Sequence, residues 1–72
     1  MKNKYQRLLN KIGYDIAMIR KRKGWTQKQL AKRMGTAQQY ISRMECGGVH
    51  FTVKTLLKVA FTLDKTLVIE FV

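Results

Sequence analysis

The chain has 72 residues, enough for one domain and close to the lower size limit for folding on a hydrophobic core alone. Its single cysteine excludes an internal disulfide, and together with one histidine it offers no cluster of metal ligands. Fifteen basic residues against four acidic ones give a formal net charge of +11. No apolar run approaches membrane-spanning length, so we expect a cytoplasmic protein.

Basic residues are concentrated in the first part of the chain. Twelve of the fifteen lie between Lys2 and Arg43, where Asp15 is the only acid. A basic face on a small domain favours a polyanionic partner, and release of counterions would make the binding salt-dependent. The alternative is a charged surface that serves solubility.

A long first helix is predicted over residues 3–23. Its apolar stripe recurs at steps of three and four, at Tyr5, Leu8 or Leu9, Ile12, Ile16 and Ile19. Gly13 interrupts this stripe, and we expect it to permit a close crossing by another helix. The basic run at 20–23 suits the negative end of the helix dipole, and it is either a solvated helix end or a phosphate-facing one.

Two short helices joined by a glycine turn are predicted for residues 26–46. Apolar residues share one face in each helix, at Leu30 and Met34 and then at Ile41 and Met44. Thr26 and Thr36 can cap the two helices, and Gly35 can adopt the left-handed conformation that ends the first. Trp25 is expected to fill the core beneath them. This arrangement is the helix-turn-helix pattern, whose second helix enters the DNA major groove.

The second helix of this pair presents amides, a hydroxyl and a guanidinium, the groups that pair with base edges. Its exposed positions are expected to be Ala37, Gln38, Gln39, Tyr40, Ser42 and Arg43. No carboxylate occurs among them before Glu45, whereas an ordinary solvated face would mix both signs of charge. The pattern favours contact with bases, and the alternative is a polar surface between helices.

A fourth helix is predicted from Val53 to about Leu63, after a loop with two glycines. Thr52 can cap its start. The residues predicted to face inward are Val53, Leu56, Leu57, Ala60 and Leu63. Phe61 does not fit this stripe, and we expect it at an interface.

Residues 66–72 are rich in β-branched and aromatic residues, which predicts a short C-terminal β-strand. Such a strand has no partner in the chain, so pairing with the same strand of a second subunit would satisfy its backbone. The side chains buried by that pairing would be Leu67, Ile69 and Phe71. The alternative is an extended tail folded back over the chain's own helices. We therefore predict a DNA-binding domain over residues 1–65 and a dimerisation strand over 66–72.

Many residues at fixed spacings match one known pattern. They are Ile12-Gly13, Ile16, Arg20, Gly24-Trp25-Thr26-Gln27, Leu30-Ala31, Met34-Gly35, Ile41-Ser42, Glu45, Gly47, Leu56-Leu57 and Val59-Ala60-Phe61-Thr62-Leu63. This segment resembles the Cro and phage-repressor type of helix-turn-helix protein, the XRE family. It departs from that pattern at Phe51, where proline is common, and at Asp64, where glycine is common. With its predicted strand, the chain is similar to antitoxin repressors of the HipB type.

The predicted fold is all-α, a compact lambda-repressor-like bundle of four to five helices with one C-terminal strand. The resemblance implies a salt bridge between Arg20 and Glu45 and a phosphate contact from Gln27. Base contacts are expected from Ala37, Gln38, Gln39, Tyr40 and Arg43. Phosphate contacts are expected from Thr26, Gln27, Lys28, Thr36, Ser42 and His50, with Lys32 and Arg33 beside them.

We expect a transcriptional regulator that binds double-stranded DNA sequence-specifically, as a homodimeric repressor on a palindromic operator. The dimer interface is predicted to contain Phe61, Leu67, Ile69 and Phe71. The alternative is an antitoxin whose main role is to bind and neutralise a partner toxin while it regulates its own operon. No nucleophile, acid–base pair or metal cluster supports catalysis, so we expect no enzymatic activity, no metal or other cofactor and no membrane partner.

Overall fold

Four helices make up the part of the chain that the structure describes. The computed structural model describes residues 4–72. Helix α1 spans Gln6–Arg22, α2 spans Gln27–Met34, α3 spans Gln38–Glu45 and α4 spans Val53–Thr62. The predicted all-α class is confirmed for these residues. Residue 3, where the first helix was expected to begin, lies outside the described residues.

Every helix contributes side chains to one core. The α2 and α3 helices pack against each other, α1 crosses α3, and α4 lies against α2. Leu30, Ile41 and Met44 have no exposed surface, so the two short helices hold the centre of the molecule. The buried members of the core are Ile16, Leu30, Ala31, Met34, Ile41, Met44, Val49, Val59 and Leu63.

The crossing of α1 over α3 depends on Gly13. A Cβ atom built at this position would collide with the backbone oxygen of Met44 and would lie 2.7 Å from the backbone oxygen of Glu45. These are backbone atoms, so they cannot move aside as a flexible side chain could. The predicted close crossing at Gly13 is therefore confirmed, and the partner is α3.

Helix α3 begins one residue later than the sequence indicated. Gly35 adopts the left-handed conformation, with φ of 68°, as predicted. The Thr36 N–H donates to the Ala31 carbonyl at 2.9 Å and so closes the end of α2. Ala37 is therefore the N-cap of α3, with no side-chain cap, and the predicted cap at Thr36 is wrong.

The inward face of α4 differs from the predicted one. Val53 and Leu57 are exposed, whereas Val59 is buried beside Leu63 in the core. Apolar residues surround most of this short helix, so periodicity alone does not select the face that packs. The structure places Phe61 on the outside, in agreement with its expected departure from the core stripe.

The predicted C-terminal β-strand is wrong: residues 65–72 contain no strand, and within residues 4–72 no other segment is a strand. A strand is defined by hydrogen bonds to a neighbouring strand, and β-branched composition alone does not supply that neighbour. The segment instead follows α4 without regular secondary structure, and its Leu67 is half-buried. Phe71 and Val72 at its end are fully exposed.

Replacing Gly13 with alanine is expected to destabilise the fold. Alanine in a helix is favoured over glycine by about 1 kcal/mol, but overpacking against the α3 backbone costs roughly 1–3 kcal/mol or more. Urea unfolding should show a net loss of stability. The neighbouring Tyr14→Ala, at a side chain that is 62% exposed, should change stability by less than about 0.5 kcal/mol. A Gly13→Ala variant more stable than the wild type would contradict the crossing geometry.

Candidate nucleic-acid interface

The start of α3 projects polar side chains away from the core. Its extended N-cap residue, Ala37, has φ of −81° and ψ of 148°, and the helix begins at Gln38. Gln38, Gln39 and Arg43 are exposed together on this helix, while Ile41 and Met44 anchor its opposite face. The helix therefore presents two amides and one guanidinium on a rigid support.

Three of the other residues predicted to contact DNA are less accessible than these. Tyr40 is half-buried and packs against the core, so most of its ring serves packing. Ser42 and Thr36 are also half-buried, whereas His50 is exposed in the loop that follows α3. On α3, Gln38, Gln39 and Arg43 are therefore exposed, whereas Tyr40 and Ser42 are partly covered.

Helix α2 lies beside α3 because the two helices share the core. Thr26 caps this helix: its hydroxyl accepts from the Gln29 N–H at 3.0 Å, and the Gln29 side chain accepts from the Thr26 N–H at 2.8 Å. This reciprocal pair satisfies two free N–H groups at the helix start. Lys28, in the first turn, is exposed.

A buried ion pair joins α1 to the end of α3. Arg20 Nε donates to Glu45 Oε2 at 2.6 Å, and Arg20 Nη2 donates to Glu45 Oε1 at 3.0 Å. Both side chains are less than one-tenth exposed, at 8% and 6%. Arg20 Nη1 also donates to the backbone oxygen of Trp25 at 2.7 Å. The structure thus contains the pair that the resemblance implies, with the guanidinium held in a bidentate arrangement.

Gln27 is bonded to the same carboxylate, a contact that the sequence did not predict. Its Nε2 donates to Glu45 Oε1 at 2.9 Å, so Glu45 orients the first residue of α2 as well as Arg20. An amide nitrogen carries two N–H groups, and this bond uses one of them. No bond from the other is present among the described residues. No spacing rule links residues 18 apart, so sequence reasoning had no signal for this contact.

Trp25 organises two cations near the end of α1. The guanidinium of Arg33 lies over the indole ring at 4.1 Å, and Lys23 Nζ lies 5.3 Å from its centre. Trp25 is half-buried and packs against the core, as predicted. The position of Arg33 is therefore set by stacking on this ring. All three cations of α2, Lys28, Lys32 and Arg33, are exposed.

Negative charge is nearly absent from the α2–α3 pair. Glu45 is its single acid, and that carboxylate is buried against Arg20. Cys46 follows α3 as an exposed thiol. In residues 4–72, no group of three His, Cys, Asp or Glu side chains is placed to hold a metal ion. Over the same range, no helix is long and apolar enough to cross a membrane.

The helix-turn-helix family model matches residues 16–69, three-quarters of the chain. The chain belongs to the XRE-type helix-turn-helix family. It is a DNA-binding transcriptional regulator of that type. The regulator is 40% identical over 52 residues to the uncharacterised HTH-type transcriptional regulator y4dJ of Sinorhizobium fredii, covering 72% of this chain and 68% of y4dJ.

Similarity extends to an antitoxin and to a controller protein. The regulator is 35% identical to the antitoxin HipB of Escherichia coli over 68% of this chain, but it spans just 56% of HipB. The restriction-modification controller protein C.AhdI of Aeromonas hydrophila has a TM-score of 0.81 at 28% identity, covering 89% of this chain and 93% of C.AhdI. A HipA-HipB-O2-O3 complex contains a chain with a TM-score of 0.70 at 26% identity, with 96% and 93% covered.

Breaking the buried ion pair is expected to destabilise the regulator strongly. Arg20→Met leaves the Glu45 carboxylate buried with the Gln27 amide as its remaining partner, and losses of this kind cost roughly 3–5 kcal/mol. Urea unfolding followed by circular dichroism measures the change. The double variant Arg20→Met/Glu45→Leu should recover most of the loss, because replacing both charges removes the unpaired one. An Arg20→Met variant with wild-type stability would show that the pair does not hold α1 to α3.

Proposed function

We propose that the regulator is a sequence-specific repressor that binds a palindromic operator as a homodimer. The observation that carries this proposal is that Gln38, Gln39 and Arg43 are exposed together on α3. These side chains have the hydrogen-bonding groups that distinguish base pairs in the major groove. Repression follows from occupancy of the operator.

In this proposal each copy contacts one half-site. The two α3 helices enter successive major grooves, about 34 Å apart along the duplex. Gln38 and Gln39 each suit a bidentate pair with adenine, and Arg43 suits guanine. Ala37 and the exposed edge of Tyr40 complete the base-contacting set. The phosphate contacts proposed to fix the register are Thr26, Gln27, Lys28, Thr36, Ser42 and His50.

The hydrogen bond from Gln27 to Glu45 supports the proposed phosphate contact of Gln27. Its bond to Glu45 holds the amide in one orientation, with one N–H left to donate to a phosphate. A donor that is already ordered loses less conformational freedom on binding. We therefore propose that the Arg20–Glu45–Gln27 cluster prepares this contact before DNA arrives.

An antitoxin role is the second candidate, and the similarity to HipB favours it. In that role the regulator binds and neutralises a partner toxin while it represses its own operon. The two proposals are compatible, because the DNA-contacting surface is the same in both. Neither proposal gives the chain a catalytic activity or a cofactor.

Gln38→Ala is expected to weaken binding to the best DNA site by roughly 1–3 kcal/mol and to relax the preference at one base position. Selection of sites from random DNA, repeated at two salt concentrations, identifies that best site. Titrations against the selected and random duplexes then measure the effect. The matched control is Lys28→Ala, which should weaken both duplexes alike and reduce the salt dependence. Equal loss on both duplexes for Gln38→Ala would remove that residue from the base-contacting set.

The antitoxin role is tested with the adjacent reading frame. If that frame encodes a small kinase-like or ribonuclease-like protein, expressing it alone should arrest growth, and co-expression with the regulator should restore growth. Gln38→Ala should still restore growth, because neutralisation does not need base contact. Growth arrest that persists with the wild-type regulator would contradict the antitoxin role and leave the repressor proposal standing.

A further inference from the structure

The first turns of α1 are fastened to the loop that follows α3. Gln6 Nε2 donates to the backbone oxygen of Gly47 at 2.8 Å and to Asn10 Oδ1 at 2.8 Å. Gly47 is buried with φ of 73°, and a Cβ atom built there would collide with Asn10 Oδ1. Gly47 directly follows Cys46, the C-cap residue of α3. The start of α1 is therefore held against the end of α3.

The same end of α3 bonds the residue that we propose to contact a phosphate from α2. Gln27 Nε2 donates to Glu45 Oε1 at 2.9 Å, and Glu45 is two residues before Gly47. The Cα atoms of Glu45 and Gly47 are no more than about 7 Å apart, because two residues of chain cannot span more. The starts of α1 and α2 are thus attached to neighbouring points on α3. A phosphate bound by Gln27 would bring the DNA backbone beside the start of α1.

Two exposed cations at the start of α1 have no acidic partner within residues 4–72. They are Lys4 and Arg7, which lie on either side of Gln6 in the sequence. The ion pairs of this part of the chain use other residues and join Lys11 to Asp15, Arg20 to Glu45 and Lys23 to Asp64. The fourth acid, Glu70, lines a groove between α1 and α4 together with Lys65. The positive charge beside the end of α3 is therefore available to a polyanion.

We propose that the start of α1 binds the DNA backbone through Arg7 and Lys4, beside the phosphate contact of Gln27. This inference rests on the proposed function, which places α3 on the DNA, and it adds a surface outside the phosphate contacts proposed there. A guanidinium can pair with two phosphate oxygens at once, so Arg7 is the principal contact. The contact carries no base preference, because phosphates are alike at every position.

Gln6 is a positioning residue in this arrangement. Its amide has two N–H groups, and it uses one on Gly47 and the other on Asn10, so the side chain is ordered before DNA binds. The bond to Gly47 fixes the first turn of α1, and with it Arg7, relative to the end of α3. A cation that is already in place loses less conformational freedom on binding. Loss of Gln6 therefore weakens the contribution of Arg7 without removing its charge.

The first test compares Arg7→Gln with Arg22→Gln in the full chain. Both changes remove one guanidinium from α1, but Arg22 lies about 22 Å farther along the helix. It lines a small cavity with Leu63 and Asp64 at the end of α4. Titrations of the selected duplex at several salt concentrations measure how many phosphates are neutralised.

Arg7→Gln should reduce the steepness of log K against log salt by about 0.9 and weaken binding roughly fivefold to tenfold at about 0.1 M salt. Arg22→Gln should keep the wild-type slope, because its charge is not at the DNA. Equal slopes for the two variants would show that net charge alone is responsible and would overturn the α1 contact.

Gln6→Met tests the positioning role, because methionine keeps the length and helix propensity of glutamine but cannot donate to Gly47. The variant should bind DNA more weakly than the wild type. Adding Arg7→Gln to it should then cost less affinity than Arg7→Gln costs in the wild type, since Arg7 is no longer held in place. A role in stability alone would leave that cost unchanged, and this result would remove Gln6 from the proposal. The comparison of Arg7 with Arg22 does not depend on this variant folding.

Duplexes in which single phosphates are replaced by neutral methylphosphonates locate the contact. At one phosphate of each half-site the replacement should weaken binding of the wild type and leave binding of Arg7→Gln unchanged. That phosphate should be next to the one found in the same way with Gln27→Ala. If every replacement affects the wild type and Arg7→Gln alike, Arg7 does not contact the backbone.

Sequence preference separates this inference from the proposed function. Arg7→Gln should weaken binding to the selected and random duplexes by the same factor, so the ratio of the two affinities stays at the wild-type value. A wild type that prefers the selected duplex, with a salt slope that Arg7→Gln leaves unchanged, would overturn the α1 contact alone. A wild type without sequence preference, with a slope that Arg7→Gln lowers, would overturn the repressor and support the backbone contact.

Discussion

The Glu45 carboxylate is the group on which the relative arrangement of α1, α2 and α3 depends. It accepts two hydrogen bonds from Arg20 on α1 and one from Gln27 on α2, and it belongs to α3 itself. A buried carboxylate is costly unless its partners are in place, so the three helices are constrained to one relative position. The ion pair therefore defines geometry more than it adds stability, because well-packed apolar residues could stabilise as much.

The glycine crossing and the ion pair act together. Gly13 lets α1 approach the carbonyl groups of Met44 and Glu45 without a side chain between them. That approach brings α1 close to the end of α3, where Arg20 reaches its partner. A core of nine buried residues gives a small chain a low free energy of unfolding. Loss of the Gly13 crossing is therefore expected to disturb the ion pair, and loss of the ion pair to disturb the crossing.

The exposed acids of the regulator lie outside the α2–α3 pair. The one acid of the α2–α3 pair, Glu45, is buried. The amides and cations of this pair therefore face solvent without an exposed carboxylate beside them. The exposed acids lie with the apolar residues around α1 and α4.

The sequence by itself determined the local features of this protein. Features that depend on residues within one or two helical turns could be predicted. They are the helical spacing of Leu30 and Met34, the cap at Thr26 and the left-handed conformation of Gly35. Tertiary structure decided which face of α4 packs, the bond from Gln27 to Glu45 and the absence of the expected strand from residues 65–72. These features depend on groups distant in sequence, or on a backbone partner that β-rich composition cannot supply.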